Sequence, residues 1–452
     1  MPPSIMWFRR DLRLSDNPAL LEAVRAAGSD GEVVPLFCLD ERLWRPAGAN
    51  RRAFLLGCLA ALDADLDGHL VVRRGDPAAL LPALAAEVGA EAVFAAADFG
   101  PYGTERDAAV EGALAAAGRE LVRVGSPYAV DPGTVRTGAG TPYKVFTPFS
   151  KAWGAHGWPG PSRAPRSPRW ASGVPSEGLP AAPATTAELP EPGEAAARRT
   201  ARRFWDTHLA DYDEQRDDPG ADATSRLSPY LKWGCLHPRQ LLAKLGTSKA
   251  ERTFRSELCW REFYADVLHH RPDTARRAFN PAMAAMEVDG PGTAPRFRAW
   301  CEGRTGFPIV DAGMRQLVAE GWVHNRVRML VASFLVKDLH LDWSRGARFF
   351  MEHLVDGDLA SNQHGWQWVA GTGTDAAPYF RIFNPVTQGE RFDPGGTYVR
   401  RWVPELAEVG DRYVHRPWDD PAGLPVGYPP PMVDHAEERE EALRRYSEVR
   451  AG

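Results

Sequence analysis

The residues best suited to chemistry gather in four short runs. The first, 356–384, reads DGDLASNQHGWQWVAGTGTDAAPYFRIFN. Asp356 and Asp358 flank Gly357, and Asn362, Trp366 and Trp368 follow. Acidic groups are seldom buried without a partner, and an indole wants an acceptor for its N–H, so this mix is odd for a core. Gly365, Gly371 and Gly373 are expected to break any long helix and to let backbone approach a ligand. The second run, 256–264, reads SELCWREFY. Glu257, Trp260, Arg261 and Tyr264 fall at i, i+3, i+4 and i+7, which puts all four on one helical face. Such a face is neither a core stripe nor an ordinary solvated one. In the third run, 322–329 (WVHNRVRM), Asn325, Arg328 and Met329 share a face, with Arg326 beside it. The fourth, 223–231, reads ATSRLSPYL. Thr224 and Ser225 are expected to cap a helix, with Ser228 and Pro229 opening another turn. Hydroxyls and free N–H groups at a helix start make a ready anion site. Read singly, each residue also fits a plainer role: a Gly-rich loop, a surface Glu–Arg pair, a helix start.

Elements must hold these runs in place. Apolar runs at 5–8, 33–39, 70–72, 92–95 and 121–124 read as strands, and 18–27, 51–66, 77–88 and 105–117 between them as helices. That alternation means right-handed βαβ crossovers and a doubly wound, parallel five-stranded sheet over residues 1–125. After the first strand comes Arg9-Arg10-Asp11-Leu12-Arg13 instead of a GxGxxG, which argues against a dinucleotide cradled there and suits an ion-paired strand end. Residues 126–197 are Pro-, Ala-, Gly- and Ser-rich, a linker with little regular structure. Its front part carries Tyr143, Phe146, Phe149 and Trp153, expected to pack on a neighbour. From 198 to 452 helical periods dominate, so the fold class is α/β plus all-α, closing on an exposed helix at 437–449.

Composition narrows the function classes. The chain has 452 residues, enough for more than one domain. Its five cysteines are scattered with no CxxC pair, so neither a disulfide framework nor a metal site is expected. No apolar run is long enough to span a bilayer, and no signal-peptide pattern opens the chain; a cytoplasmic setting is expected. A net charge of −5 leaves room for one basic face, and 15 tryptophans are the compositional outlier.

These motifs, in this order and spacing, resemble the DNA photolyase/cryptochrome family, and within it the class I cyclobutane-pyrimidine-dimer photolyases. The resemblance runs from Met6 to about Trp418, apart from the linker. It implies a C-terminal helical domain binding FAD in its reduced form, and UV-damaged DNA as partner to a monomer. Carried over by position, Tyr212, Thr224, Ser225, Arg226, Leu227 and Ser228 hold the diphosphate and sugar. Arg261, Tyr264, Arg328, Asp356, Gly357 and Asp358 lie about the flavin, with Arg328 paired to Asp356, and Asn362 faces its N5. Glu257, Trp260, Asn325, Arg326, Met329, Trp368 and Gln388 meet the flipped lesion and its DNA, with Glu257 and Asn325 also near the flavin. Arg381 joins Arg326 in gripping phosphates. Members that repair (6-4) photoproducts carry histidines where this chain has Asn325 and Met329, which favours the cyclobutane dimer. Trp366 and Trp343 match the first two tryptophans of the family's electron wire, while Gly290 stands where the third is expected. Photoreduction is therefore expected to be slow or rerouted.

Residues 98–107 (DFGPYGTERD) and 51–59 (RRAFLLGCL) resemble members that bind 8-hydroxy-5-deazaflavin as an antenna, with Arg51 and Asp98 as contacts. Methenyltetrahydrofolate, or no second pigment, is the alternative. Three other functions compete: a cryptochrome-like photoreceptor, a light-independent flavin oxidoreductase, for which no nicotinamide fingerprint is visible, and a plain nucleic-acid-binding module.

Overall fold

A computed structural model of the chain describes residues 2–375 and 380–451. The contacts divide it into two compact units. The first holds Met1–Thr185, Pro190–Ala210 and Ser225–Pro272; the second holds Thr186–Leu189, Asp211–Thr224 and Asp273–Gly452.

The first unit is built on strands β1 (Ser4–Phe8), β2 (Val33–Leu39), β3 (Val71–Arg74), β4 (Ala92–Ala95) and β5 (Glu120–Arg123). They pair in parallel in the order β3-β2-β1-β4-β5. β1 and β2 are buried at every residue, as apolar strands covered on both faces must be. The helices of this part are α1 (Pro18–Ala27), a short α2 (Glu41–Trp44), α3 (Ala49–Asp65), α4 (Pro77–Val88) and α5 (Pro101–Ala116). Asn17 and Asp76 cap α1 and α4 through their side chains, each with a proline at the next position. The unit continues with α6 (Phe146–His156), α7 (Glu194–Thr207), α9 (Ser228–Trp233), α10 (Pro238–Leu242) and the long α11 (Lys249–His270), while α8 (Tyr212–Gln215) lies in the second unit.

The expected boundaries near 125 and 197 do not coincide with these units. On α11, the Glu262 carboxylate accepts from Ala129 N and Val130 N, and Asp266 accepts from Gly133 N. These bonds tie the linker's front end to α11 within the sheet unit. Farther along, the linker borders the sheet, with Val33 N donating to Arg169 O and Glu177 N to Val72 O.

The second unit carries α12 (Ala294–Cys301), α13 (Pro308–Glu320), α14 (Asn325–Ser333), α15 (Trp343–His353), α16 (Leu359–Ala370), α17 (Pro385–Phe392), α18 (Thr397–Trp402) and α19 (His435–Ala451). A π-helical turn, Phe334–Asp338, follows α14. Trp300, Val331, Leu335, Phe350 and Trp366 belong to its core. The terminal helix is not the free exposed element expected. His435 pairs with Asp338 at 2.5 Å, His340 with Glu438 at 2.7 Å and Arg445 with Asp289 at 2.8 Å. Its polar sequence hides this docking, because charged side chains make many of the contacts, beside a buried Ala442 and Tyr446 stacked on Phe380 at 4.3 Å.

Candidate functional site

In the sheet unit, α11 starts from a capping box in which Ser248 and Glu251 exchange side-chain and backbone hydrogen bonds. The helix that follows sets Glu257, Trp260, Arg261 and Tyr264 on one face, as the spacing requires. Trp260 is half-buried. Phe146 stacks on its indole with ring centroids 3.6 Å apart and planes 5° from parallel, and Tyr264 meets it at 5.4 Å. Arg261 donates to Pro127 O at 3.0 Å and Leu231 O at 3.2 Å, so it ties α11 to α9.

The residues before α9 do not cap it as expected. Leu227 occupies the cap position with no side-chain bond, and Ser225 Oγ accepts from Leu227 N at 3.4 Å. A hydroxyl that closes its own local turn cannot also reach the helix N–H groups. Arg226 adopts φ 51°, a left-handed conformation that few non-glycine residues occupy and that concentrates at functional sites.

In the helical unit, His324 caps α14 by accepting from Arg326 N at 3.2 Å, which starts the helix at Asn325. Asn325 is exposed, Met329 partly buried. Arg328 donates through Nε to Val323 O at 2.8 Å and through Nη2 to Asp356 Oδ2 at 2.9 Å, the pairing expected from the resemblance. Arg326 pairs with Asp217 at 2.8 Å and lies 4.4 Å from the Phe392 ring centroid. Asp358 caps α16 by accepting from Ser361 N at 3.2 Å. Asn362 Nδ2 donates to Ala347 O at 3.1 Å and Gln363 Oε1 at 2.9 Å, which fixes its orientation.

Gly365 does not interrupt α16. The Asp358 cap starts the helix and Gly371, at φ 79°, ends it, and one interior glycine costs only about 1 kcal/mol. A Cβ at Gly365 would meet nothing within 4 Å, so the backbone one turn beyond Asn362 is open. Trp368 lies under the Arg381 guanidinium at 5.6 Å, and Gln388 is half-buried on α17. Tyr212 is buried at the start of α8 under Arg216 at 5.7 Å.

Two atoms test whether these residues fit a flavin nucleotide. Asp356 Oδ1 and Thr224 Oγ1 are both buried with no hydrogen-bond partner among the described residues. Buried polar atoms are almost always paired, so each is open to a partner from water or a ligand. One is an acceptor only, the other a donor and acceptor, which suits the N–H groups and oxygens of a flavin nucleotide.

Comparison with known proteins bears on the same residues. The family model described as "DNA photolyase" matches residues 4–168, and that described as "FAD binding domain of DNA photolyase" matches 254–448. A deoxyribodipyrimidine photo-lyase of Streptomyces griseus is 45% identical over 97% of this chain and 98% of its own length. The chain belongs to the DNA photolyase family. A bacterial class III photolyase from Agrobacterium tumefaciens superposes with a TM-score of 0.93 at 39% identity, covering 100% of this chain and 98% of that one. An archaeal photolyase from Sulfolobus tokodaii, solved with two FAD molecules, gives 0.86 at 29%, over 99% and 100%.

In this photolyase, Trp366 is buried against Gly346, edge-on to Phe350 at 5.1 Å and to Trp300 at 6.1 Å. Trp300 is fully buried and donates Nε1–H to Val331 O at 3.0 Å. Only the packing of α12 brings Trp300 beside Trp366. Trp343 stands at the first position of α15, nearly buried.

The antenna candidates belong to the sheet unit of this photolyase. The strand order reverses at β1, with β2 on one side and β4 on the other, the kind of switch point where open α/β sheets bind ligands. Asp98 follows β4, pairs with Arg106 at 3.3 Å and accepts from Gly100 N at 3.2 Å. Burial opposes its charge, but Arg106, Arg10 and Arg9 outweigh that and hold its carboxyl below the usual range. A Cβ at Gly103 would strike the Asp98 carboxylate, so α5 depends on that glycine to come so near. Arg51 is buried on α3. The Arg9–Asp107 ion pair confirms the expected character of the strand end. Among the described residues no cluster of metal-ligating side chains converges, and no helix is long and apolar enough to cross a membrane.

Proposed function

We propose that this photolyase splits cyclobutane pyrimidine dimers in UV-damaged DNA under blue or near-UV light. The observation that carries the reading is the buried, unpartnered Oδ1 of Asp356 beside its ion pair with Arg328, in a chain so similar to photo-lyases. When bound, reduced FAD supplies the photo-excited electron donor. Arg328 neutralises Asp356, which then presents its second oxygen to a ligand N–H. Asn362, with its amide nitrogen engaged by Ala347 and Gln363, presents an oxygen that accepts a hydrogen bond and cannot release a proton. Thr224, Ser225, Arg226, Leu227 and Ser228, with Tyr212, hold the diphosphate and sugar; Gly357, Asp358, Arg261 and Tyr264 border the ring system.

At the lesion, Trp260 and Trp368 offer flat apolar faces, and Glu257 and Asn325 hydrogen-bond the pyrimidine edges. Arg326, Arg381 and Gln388 contact the DNA strand, so binding weakens with salt. Asn325 and Met329 supply no proton donor of the kind a (6-4) repair site needs, which supports the cyclobutane dimer as substrate. We assign class I on the sequence, although one solved relative is a class III enzyme. The antenna reading is 8-hydroxy-5-deazaflavin at Arg51 and Asp98, with methenyltetrahydrofolate or a second FAD as alternatives. The absorption spectrum of pigment extracted from protein of the native host tells these apart. We also propose that the enzyme works as a cytoplasmic monomer. The central test is illumination of the enzyme with its FAD fully reduced on an oligonucleotide carrying one dimer. Restored thymines support the reading; an untouched dimer overturns it.

A further inference from the structure

Trp260 has an aromatic neighbour that its assigned role does not use. Phe146 lies parallel to the indole at 3.6 Å and covers one of its two faces. Its position follows from α6. Phe146, Phe149 and Trp153 fall at i, i+3 and i+7, one side of that helix. Phe146 meets Trp260, Phe149 meets Phe263 at 5.1 Å, and Trp153 Nε1–H donates to Glu262 Oε2 at 2.6 Å. The α6 N-terminus has no side-chain cap, so these contacts with α11 largely place it.

Glu262 is the strongest of these ties. It is buried, and its two oxygens receive three N–H donors, from Ala129, Val130 and Trp153. The carboxylate therefore binds the incoming loop and the far end of α6 to the same helix that carries Trp260, two residues away.

We propose that Phe146 is a positioning residue for Trp260 and that Glu262, through Trp153, holds Phe146 in place. The indole is then locked in one rotamer with a single face open to a flipped pyrimidine. An unbacked indole on a half-exposed helix face samples several rotamers and must be immobilised when DNA binds. Backing it beforehand removes that cost. This inference rests on Trp260 being a lesion contact, as proposed above.

The test uses the FAD-loaded full chain and a duplex with and without one cyclobutane dimer. Phe146→Ala should retain its FAD and bind the dimer duplex about 3- to 10-fold more weakly, the factor expected from freeing one rotamer-rich side chain. Binding to undamaged duplex should not change, nor should the repair rate of the saturated complex under constant light. Phe146→Tyr, which keeps the flat ring, should restore affinity. Phe146→Leu keeps volume without the plane and should show the Ala defect, which guards against misfolding of the Ala variant. Glu262→Gln turns an amide N–H toward one of three donors and should weaken dimer binding in the same sense, with the salt dependence unchanged. Wild-type affinity in both Phe146→Ala and Phe146→Leu overturns the proposal, as does an equal loss on damaged and undamaged duplex. A wild-type enzyme that repairs no dimers would instead sink the functional reading itself.

Discussion

Asp356→Asn tests the cofactor site most directly. The carboxylate can accept on two sides: Arg328 Nη2 at Oδ2, 2.9 Å away, and a buried Oδ1 that nothing among the described residues fills. Asparagine matches the shape but has one acceptor oxygen. It must turn its NH2 group toward Arg328 or toward the ligand, so one of the two bonds becomes donor against donor. A hydrogen bond to a charged group is worth about 1.5–3 kcal/mol. At about 1.4 kcal/mol per tenfold, FAD should bind about 10- to 150-fold more weakly. The Arg328 side chain is 27% exposed, so water covers part of the loss of its partner and the lower half of that range is expected. Thr224→Val removes a neutral orphan hydroxyl and should cost about 0.5–1.5 kcal/mol, roughly 2- to 12-fold. Fluorescence titration of FAD into apoprotein measures both. If Asp356→Asn binds FAD within twofold of the wild type, Oδ1 does not face the cofactor and the site is misplaced.

Three further outcomes are expected. A Cβ in Gly346→Ala would lie 2.2 Å from Trp366 Cη2 and 2.5 Å from Leu335 Cδ2, in a packed core. Overpacking costs about 1–3 kcal/mol against about 1 kcal/mol gained in helix propensity, so the melting temperature should fall and flavin photoreduction should change; wild-type values for both refute the packing. His364 is buried, with Nδ1–H donating to Ala360 O and Nε2 accepting from Thr274, and burial pushes its pKa down to about 4 from 6.5. Because the folded value is the lower one, the neutral ring's contribution is complete above pH 6.5 and is lost as pH falls through about 4, in all about 3 kcal/mol. Urea titrations across that window should show His364→Asn flattening the acid limb; an unchanged limb refutes it. With Gly290 in place of a third tryptophan, photoreduction should be slow, or should alter in Trp300→Phe while repair persists. Fast radical formation at a third tryptophan in flash absorption contradicts this.

Much of the frame could be read along the chain because its signals are local. The β1 and β2 apolar runs, the caps at Asn17 and Asp76, and the four-residue face of α11 each depend on a few neighbouring residues. The readings that needed correction turned on competition between local options. Ser225 closes its own turn, and Gly365 is carried inside α16 because the Asp358 cap and a left-handed glycine define the ends.

By itself the sequence determined the two classes of structure, the residue types at the site and their resemblance to photolyases, since period and motif survive without knowledge of distant contacts. The tertiary structure alone decided which groups are paired and which are left waiting: Phe146 flat on Trp260, Trp300 beside Trp366, Glu262 under three donors, Asp356 with one oxygen filled and one not. Those outcomes depend on packing between helices far apart in the chain, which helical period and turn chemistry do not encode.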